Sequence, residues 1–226
     1  MSSSALAKKI YAQLERGHSP SKVKASVKTL LREFEGEGEA KIPTMATAQK
    51  HPLGFFALRW NVGINQILRV HLWSKTFKWV QHPNWQIHNH IFDFNSLVLH
   101  GTIQNKTYKK NENKTGRWSV YEVIYTDQNS TLIHRMSNVA LDLEGAIVQR
   151  NLSKYSLSAE ILHRSVLRSE TAITVLAART TVESEISPTV IGAGETKEFT
   201  FDRRVTNHVE AGLVLRQFLT LLDGSS

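Results

Sequence analysis

Apolar and polar positions along this chain follow two periods. Over residues 3–34 the spacing is helical. Leu6, Ile10 and Leu14 share one face of a first helix, and Val23, Val27, Leu30, Leu31 and Phe34 lie along one side of a second. The Gly-His-Ser-Pro stretch at 17–20 separates the two, and Ser21 is the candidate cap of the second. Glu35 to Glu39 alternates glutamate with glycine and reads as a polar joint. From about residue 52 the period shortens to two. Alternating segments at 55–62, 66–73, 77–80, 86–90, 96–100, 102–108, 118–126, 131–136, 139–143, 146–150, 154–157, 161–166 and 172–180 predict strands. Between them, residues 109–116 offer no core-forming side chain and read as a loop. Many short strands punctuated by turns predict an all-β sandwich or barrel. Near the end the helical period returns: Asn207 and Glu210 have the spacing of a capping box, and Leu213, Val214, Leu215, Phe218, Leu219 and Leu222 follow. The expected organisation is a helical extension over 1–38, a barrel over 39–206 and a helix over 207–226, with the helices packed outside the barrel or across a dimer interface. There is no internal repeat.

Composition narrows the chemistry more than the fold. The 226 residues include no cysteine, which removes disulfides, thiolate metal sites and a cysteine nucleophile. Any metal must then be held by histidine and carboxylate, a donor set compatible with Fe, Zn, Ni, Cu or Mn. The net charge of +8 favours anionic partners. Much of the excess sits in Lys8, Lys9, Arg16, Lys22, Lys24, Lys28 and Arg32, a pattern more typical of a solvated helix face than of a nucleic-acid site, and no nucleic-acid motif accompanies it. No apolar run approaches the ~20 residues a membrane helix needs. The first residues lack the apolar stretch of a secretory signal, so the cytoplasm is the expected location.

His88-Asn89-His90 is the most informative feature. On a strand, side chains at i and i+2 share a face and lie roughly 6.5–7 Å apart. Two imidazoles so placed can bind one metal ion, with Asn89 directed the other way. The motif is flanked by Trp79, Val80, Trp85 and Ile87 before it and by a buried-looking strand after it. Gly101 follows His90 by eleven residues, where a hairpin is expected to turn.

These residues resemble the first motif of the cupin superfamily: His-x-His on one strand, then a glycine ending the next. Tyr155 to His163, followed by Thr171-Ala-Ile-Thr-Val-Leu-Ala, looks like the second motif and its strand, with His163 as the third imidazole. The similarity spans roughly residues 52–180 and is nearest to a group of bacterial cupins whose first motif reads His-x-His-x-x-Asp-Phe-x-Ser. Phe94 and Asn95 stand where the family carries its glutamate, and Ser158 and Glu160 replace the proline and glycine of the second motif. The resemblance implies a cupin-like jelly-roll barrel. It also implies a divalent metal on His88, His90 and His163, iron(II) favoured with zinc, nickel or manganese as substitutes. A three-histidine set resembles that of the iron thiol dioxygenases, so the expected function is a metal-dependent oxygenase acting on a small, anionic molecule. Two other readings stay open: a non-catalytic small-ligand-binding cupin, and a metal-assisted isomerase or hydrolase.

Three further residues complete the candidate set. Asp93 falls at an odd offset from His90, which puts it on the opposite strand face unless a bulge intervenes; it is a fourth ligand or a group orienting an imidazole. Arg69 shares a face with His71 and Trp73 and is the candidate carboxylate clamp. Tyr155 is the third candidate catalytic residue. His134, 33 residues after Gly101, competes with His163 at 62, but lacks the strand that follows His163. His18, His51, His82, His100 and His208 read as surface or capping residues.

Overall fold

The computed structural model describes residues 2–33, 46–77, 79–126, 129–180, 187–203 and 205–224. Phe34 and the 35–39 joint lie outside the described residues. Helix α1 (Ser3–Glu15) starts where the Ser2 hydroxyl accepts the Ala5 N–H at 3.4 Å. Helix α2 (Pro20–Arg32) starts one turn element earlier than expected: Ser19, not Ser21, is the cap, and Pro20 takes the first helical position, where its missing N–H costs nothing. Helix α3 (His208–Asp223) keeps half of its capping box. The Asn207 side chain accepts the Glu210 N–H at 2.9 Å, while the Glu210 carboxylate pairs with Lys50 instead of reaching back.

Between the helices lie ten antiparallel strands: β1 (Ala46–Lys50), β2 (Phe55–Gly63), β3 (Gln66–Ser74), β4 (Ile87–His88), β5 (Phe92–Tyr125), β6 (Asn129–Gln149), β7 (Lys154–Leu157), β8 (Leu162–Thr180), β9 (Thr189–Ala193) and β10 (Glu198–Asp202). The architecture is dominated by one antiparallel sheet, as the all-β expectation had it, with two helices before it and one after. The described residues of the 77–80 segment are not in a strand; Phe77 and Trp79 stack at 4.0 Å and pack towards Phe218. Strands β1, β9 and β10 are additions to the expectation.

One layer explains the helices. In β2 and β3, Phe56, Leu58, Trp60, Leu68, Val70 and Leu72 face outward and form one apolar cluster with Leu6, Ile10, Val27, Leu30, Leu31 and Phe218 of the three helices. Leu97 and Leu99 of β5 and Ile173, Val175 and Ala177 of β8 extend this cluster. Each such side chain contributes about 1.5–3 kcal/mol by leaving water. The amphipathic helices therefore cover the barrel wall, and the alternate residues of the same strands face inward.

The second layer is joined to the first by β5, which runs unbroken through both. Its first half pairs with β8 and its last residues pair with β9 and β6. Gly101 is not a hairpin turn but a bend inside β5. It has a φ of 77°, register shifts flank it, and a Cβ there would stand 2.2 Å from the Thr171 carbonyl oxygen. Residues 109–116 are likewise strand, not loop: Lys109 to Asn111 pair with Ala140 to Asp142 of β6. This arm lost its alternation because water reaches both faces: Lys109, Lys110, Asn113, Lys114 and Thr115 are all exposed.

Candidate metal centre

Two strand relations bring the imidazoles together. His88 and His90 are i, i+2 neighbours, and their ring centroids stand 4.9 Å apart. His88 is also the direct cross-strand partner of His163 in the β4–β8 pairing, with ring centroids at 4.6 Å. The third imidazole thus comes from the hydrogen-bonded neighbour strand rather than a facing one. His90, just past β4, closes the triangle at 4.8 Å from His163. One ligand atom from each ring lies within 4.8 Å of the others.

Hydrogen bonding presents nitrogen lone pairs to that centre. The His88 Nδ1–H donates to the Gln86 carbonyl at 2.8 Å, and the His163 Nδ1–H to the Ile161 carbonyl at 3.1 Å. A carbonyl only accepts, so each ring carries its proton on Nδ1 and leaves Nε2 free for an ion. His90 Nδ1 is buried without a partner among the described residues, and its ring stacks on Phe92 at 4.5 Å. Burial is the largest cause holding all three imidazoles neutral, with mutual repulsion adding to it at His90 and His163; His163 is depressed to about 3. Neutral, convergent imidazoles, His163 buried and His88 and His90 half-buried, with an orphaned nitrogen fit a divalent transition metal.

Backbone contacts fix the motif from both ends. Asn89 donates its N–H to the Thr189 carbonyl at 3.0 Å, and its side-chain oxygen accepts the Thr189 N–H at 2.6 Å. The His90 N–H donates to the Ala159 carbonyl at 2.9 Å, and Asp93 Oδ1 accepts the Ala159 N–H at 2.8 Å. Asp93 is exposed and outside both the cavity and the three-histidine group, as strand parity required. Its carboxylate grips the turn that leads into His163.

The imidazoles open into a cavity of about 450 Å³ between the two layers. Arg69 and Tyr155 both line it. The Arg69 guanidinium stands 4.7 Å from the Phe92 ring, its Nε is buried without a hydrogen-bond partner among the described residues, and burial together with Arg59 and Arg203 lowers its pKa to about 10. Burial raises the Tyr155 phenol, an effect that hydrogen bonds with Ser96 and Asn105 partly offset. The structure does not bring His134 here. Its Nε2 meets the Ser137 hydroxyl at 2.9 Å and its ring meets Tyr121.

Several lining residues, among them His51, Arg59 and Arg203, escaped the sequence, whereas the His71 and Trp73 face lies in the cavity beside Arg69. His71 and His51 flank the Phe55 ring, at centroid distances of 4.7 and 4.2 Å. His51 is a cavity residue rather than a surface one; its Nδ1 accepts the Leu53 N–H at 3.2 Å. Arg59 and Arg203 also line the cavity. Strand register was the missing signal, because it sets Arg59 directly opposite Arg69.

Among the described residues, no helix is long and apolar enough to cross a membrane. No protein-family model matches the chain, and no curated protein is similar to it. Among solved structures, the chain is similar to hydroquinone 1,2-dioxygenase from Sphingomonas sp. TTNP3 with 4-hydroxybenzoate bound, at 14% identity over 63% of this chain and 70% of that one, with a TM-score of 0.30. It is also similar to ectoine synthase from P. lautus, at 12% identity over 74% of this chain and 90% of that one, with a TM-score of 0.25. Likeness this slight carries no inference about activity.

Proposed function

We propose that this protein is a mononuclear metal-dependent enzyme acting on a small organic molecule, with His88, His90 and His163 holding a divalent ion. One observation carries the reading: three neutral imidazoles converge at the wall of a cavity large enough for a small substrate. Iron(II) is the favoured ion and oxygen transfer the favoured reaction. His88, His90 and His163, all uncharged donors, would hold such an ion with its positive charge undiminished. When bound, the ion supplies redox or Lewis-acid chemistry.

The chain's own residues do the rest. Asp93 and the Ala159 peptide hold the two histidine-bearing segments in register. Phe92 and Phe94 pack about His90 and restrict water at the imidazoles. Tyr155, kept as a neutral phenol, offers its proton to a hydrogen-bond acceptor in the cavity. Arg69 anchors an anionic group.

Metal analysis of untagged protein purified without chelator tests the reading. One ion per chain is expected, lost in His163→Ala and retained in His134→Ala. Retention by His163→Ala, or loss from His134→Ala, would reject the triad. Protein that never holds metal, yet binds small ligands, would be a binding protein instead. Iron with ligand-dependent oxygen uptake supports the oxygenase. Zinc without oxygen uptake points to isomerisation or hydrolysis.

A further inference from the structure

The cavity has a second chemical feature, set apart from the imidazoles. Arg59 of β2 and Arg69 of β3 are direct cross-strand partners, and both line the cavity. Like charges placed directly opposite on paired strands destabilise a sheet. A third guanidinium, Arg203, follows β10 and also lines the cavity; the Gln49 side chain donates to its carbonyl and Thr206 donates to Ala48, which lays this segment along β1. Among the described residues no aspartate or glutamate lines the cavity, and none of the three arginines makes an ion pair. Two of them instead lie over rings: Arg69 over Phe92 and Arg203 over Tyr125, at 4.7 and 4.8 Å. The Arg69 Nε is buried and has no hydrogen-bond partner among the described residues.

A fold tolerates such a cluster when something else supplies the countercharge. The histidines cannot, and burial together with these same arginines holds His51 and His71 neutral. We infer that Arg59, Arg69 and Arg203 form an anion clamp, and that the substrate is a small molecule with an aromatic or apolar body and two negative charges, borne as two carboxylates or one phosphate monoester. The inference rests on the proposed reading of this cavity as the substrate site.

Exposure orients the ligand. Arg59 is exposed and Arg69 half-buried, so the anionic groups sit towards the mouth. The Arg69 guanidinium packs on Phe92, which itself stacks on His90, so a single ring separates clamp from imidazole. The apolar body lies along Phe55, Trp73 and Phe92 and directs its far end at the histidines. Guanidiniums suit both anions, because their planar fork makes paired hydrogen bonds to carboxylate and phosphate alike.

Calorimetric titration with isophthalate, phenyl phosphate, benzoate and benzyl alcohol tests the clamp, on protein as purified and again after chelator treatment. At least one dianion is expected to bind about tenfold or more tighter than benzoate, with benzyl alcohol weaker still, and the preferred dianion names the source of charge. Arg59→Gln should weaken that dianion about tenfold and raise the melting temperature of the ligand-free protein, since it relieves repulsion. A merely structural arginine would lower the melting temperature. Arg69→Gln should behave alike, and the exposed Arg59 keeps the test valid if the Arg69 variant misfolds. Dianions that bind no tighter than benzoate, or unchanged affinity in Arg59→Gln, would overturn the inference. Dianion binding lost on chelation alone would assign the anion to the ion and reject the clamp. Binding that persists in protein free of metal would keep the clamp and leave the metal reading to fall by itself.

Discussion

The two faces of the β2–β3 hairpin are drawn from the same eighteen or so residues and could hardly differ more. Outward, Phe56, Leu58, Leu68, Val70 and Leu72 are wholly buried under three helices. Inward, Phe55, Arg59, Arg69, His71 and Trp73 alternate with them and present rings, an imidazole and like charges to a cavity. One face is optimised for leaving water. The other holds groups that the fold would be more stable without. Alternation at period two lets one strand separate stability from chemistry, and a one-residue slip would exchange them.

The sharpest way to break this comparison is on the helix side. Leu68→Ala should cost about 3–5 kcal/mol in denaturant unfolding, because the removed methyls leave a cavity that three packed helices cannot fill. A cost below ~1 kcal/mol would mean the helices do not rest on this wall.

The cavity face should respond to acid instead. Burial, aided by Arg69, depresses His71 to about 3, while the unfolded chain titrates near 6.5. Between those values the unfolded state takes up a proton that the folded state refuses. Stability from this group is therefore complete above pH 6.5 and falls as pH drops towards 3, by up to about 1.4 kcal/mol per unit. His71→Leu should flatten the acid limb of a stability–pH profile by that slope. A parallel profile would show that His71 is protonated in the fold.

The smallest effect belongs to the helix end that holds the outer layer. Asn207→Ala should cost about 1 kcal/mol in thermal unfolding, from loss of the bond to the Glu210 N–H. Its effect on dianion binding should be nil, whereas Arg59→Gln should show the opposite pairing of outcomes.

Much of this was legible in the sequence, for identifiable reasons. Helical spacing marked Leu6, Ile10, Leu14, Val23 and Val27, all of which are buried. His-x-His and the strand after His163 pointed to the residues that the fold brings together. The reading failed where pattern and environment part company. The 109–116 arm is polar because both its faces are wet, so a strand read as a loop. Arg59 in a strand looks like a solvent-facing charge until pairing sets it against Arg69. His51 lies outside any strand and gains its meaning only from contact with Phe55. Register and long-range contact are properties of the folded chain, and no local window contains them.

The two-residue strand β4 has a kinetic corollary. His88 is held between His163 of β8 and Val190 of β9, partners about 75 and 100 positions downstream. No fragment ending before β8 could assemble the imidazole cluster, and contacts of such separation carry a high entropic toll until the rest of the chain has collapsed. The cluster should therefore be among the last features to mature. Any ion it captures would bind the finished molecule in preference to its precursors, trapping the completed fold by mass action.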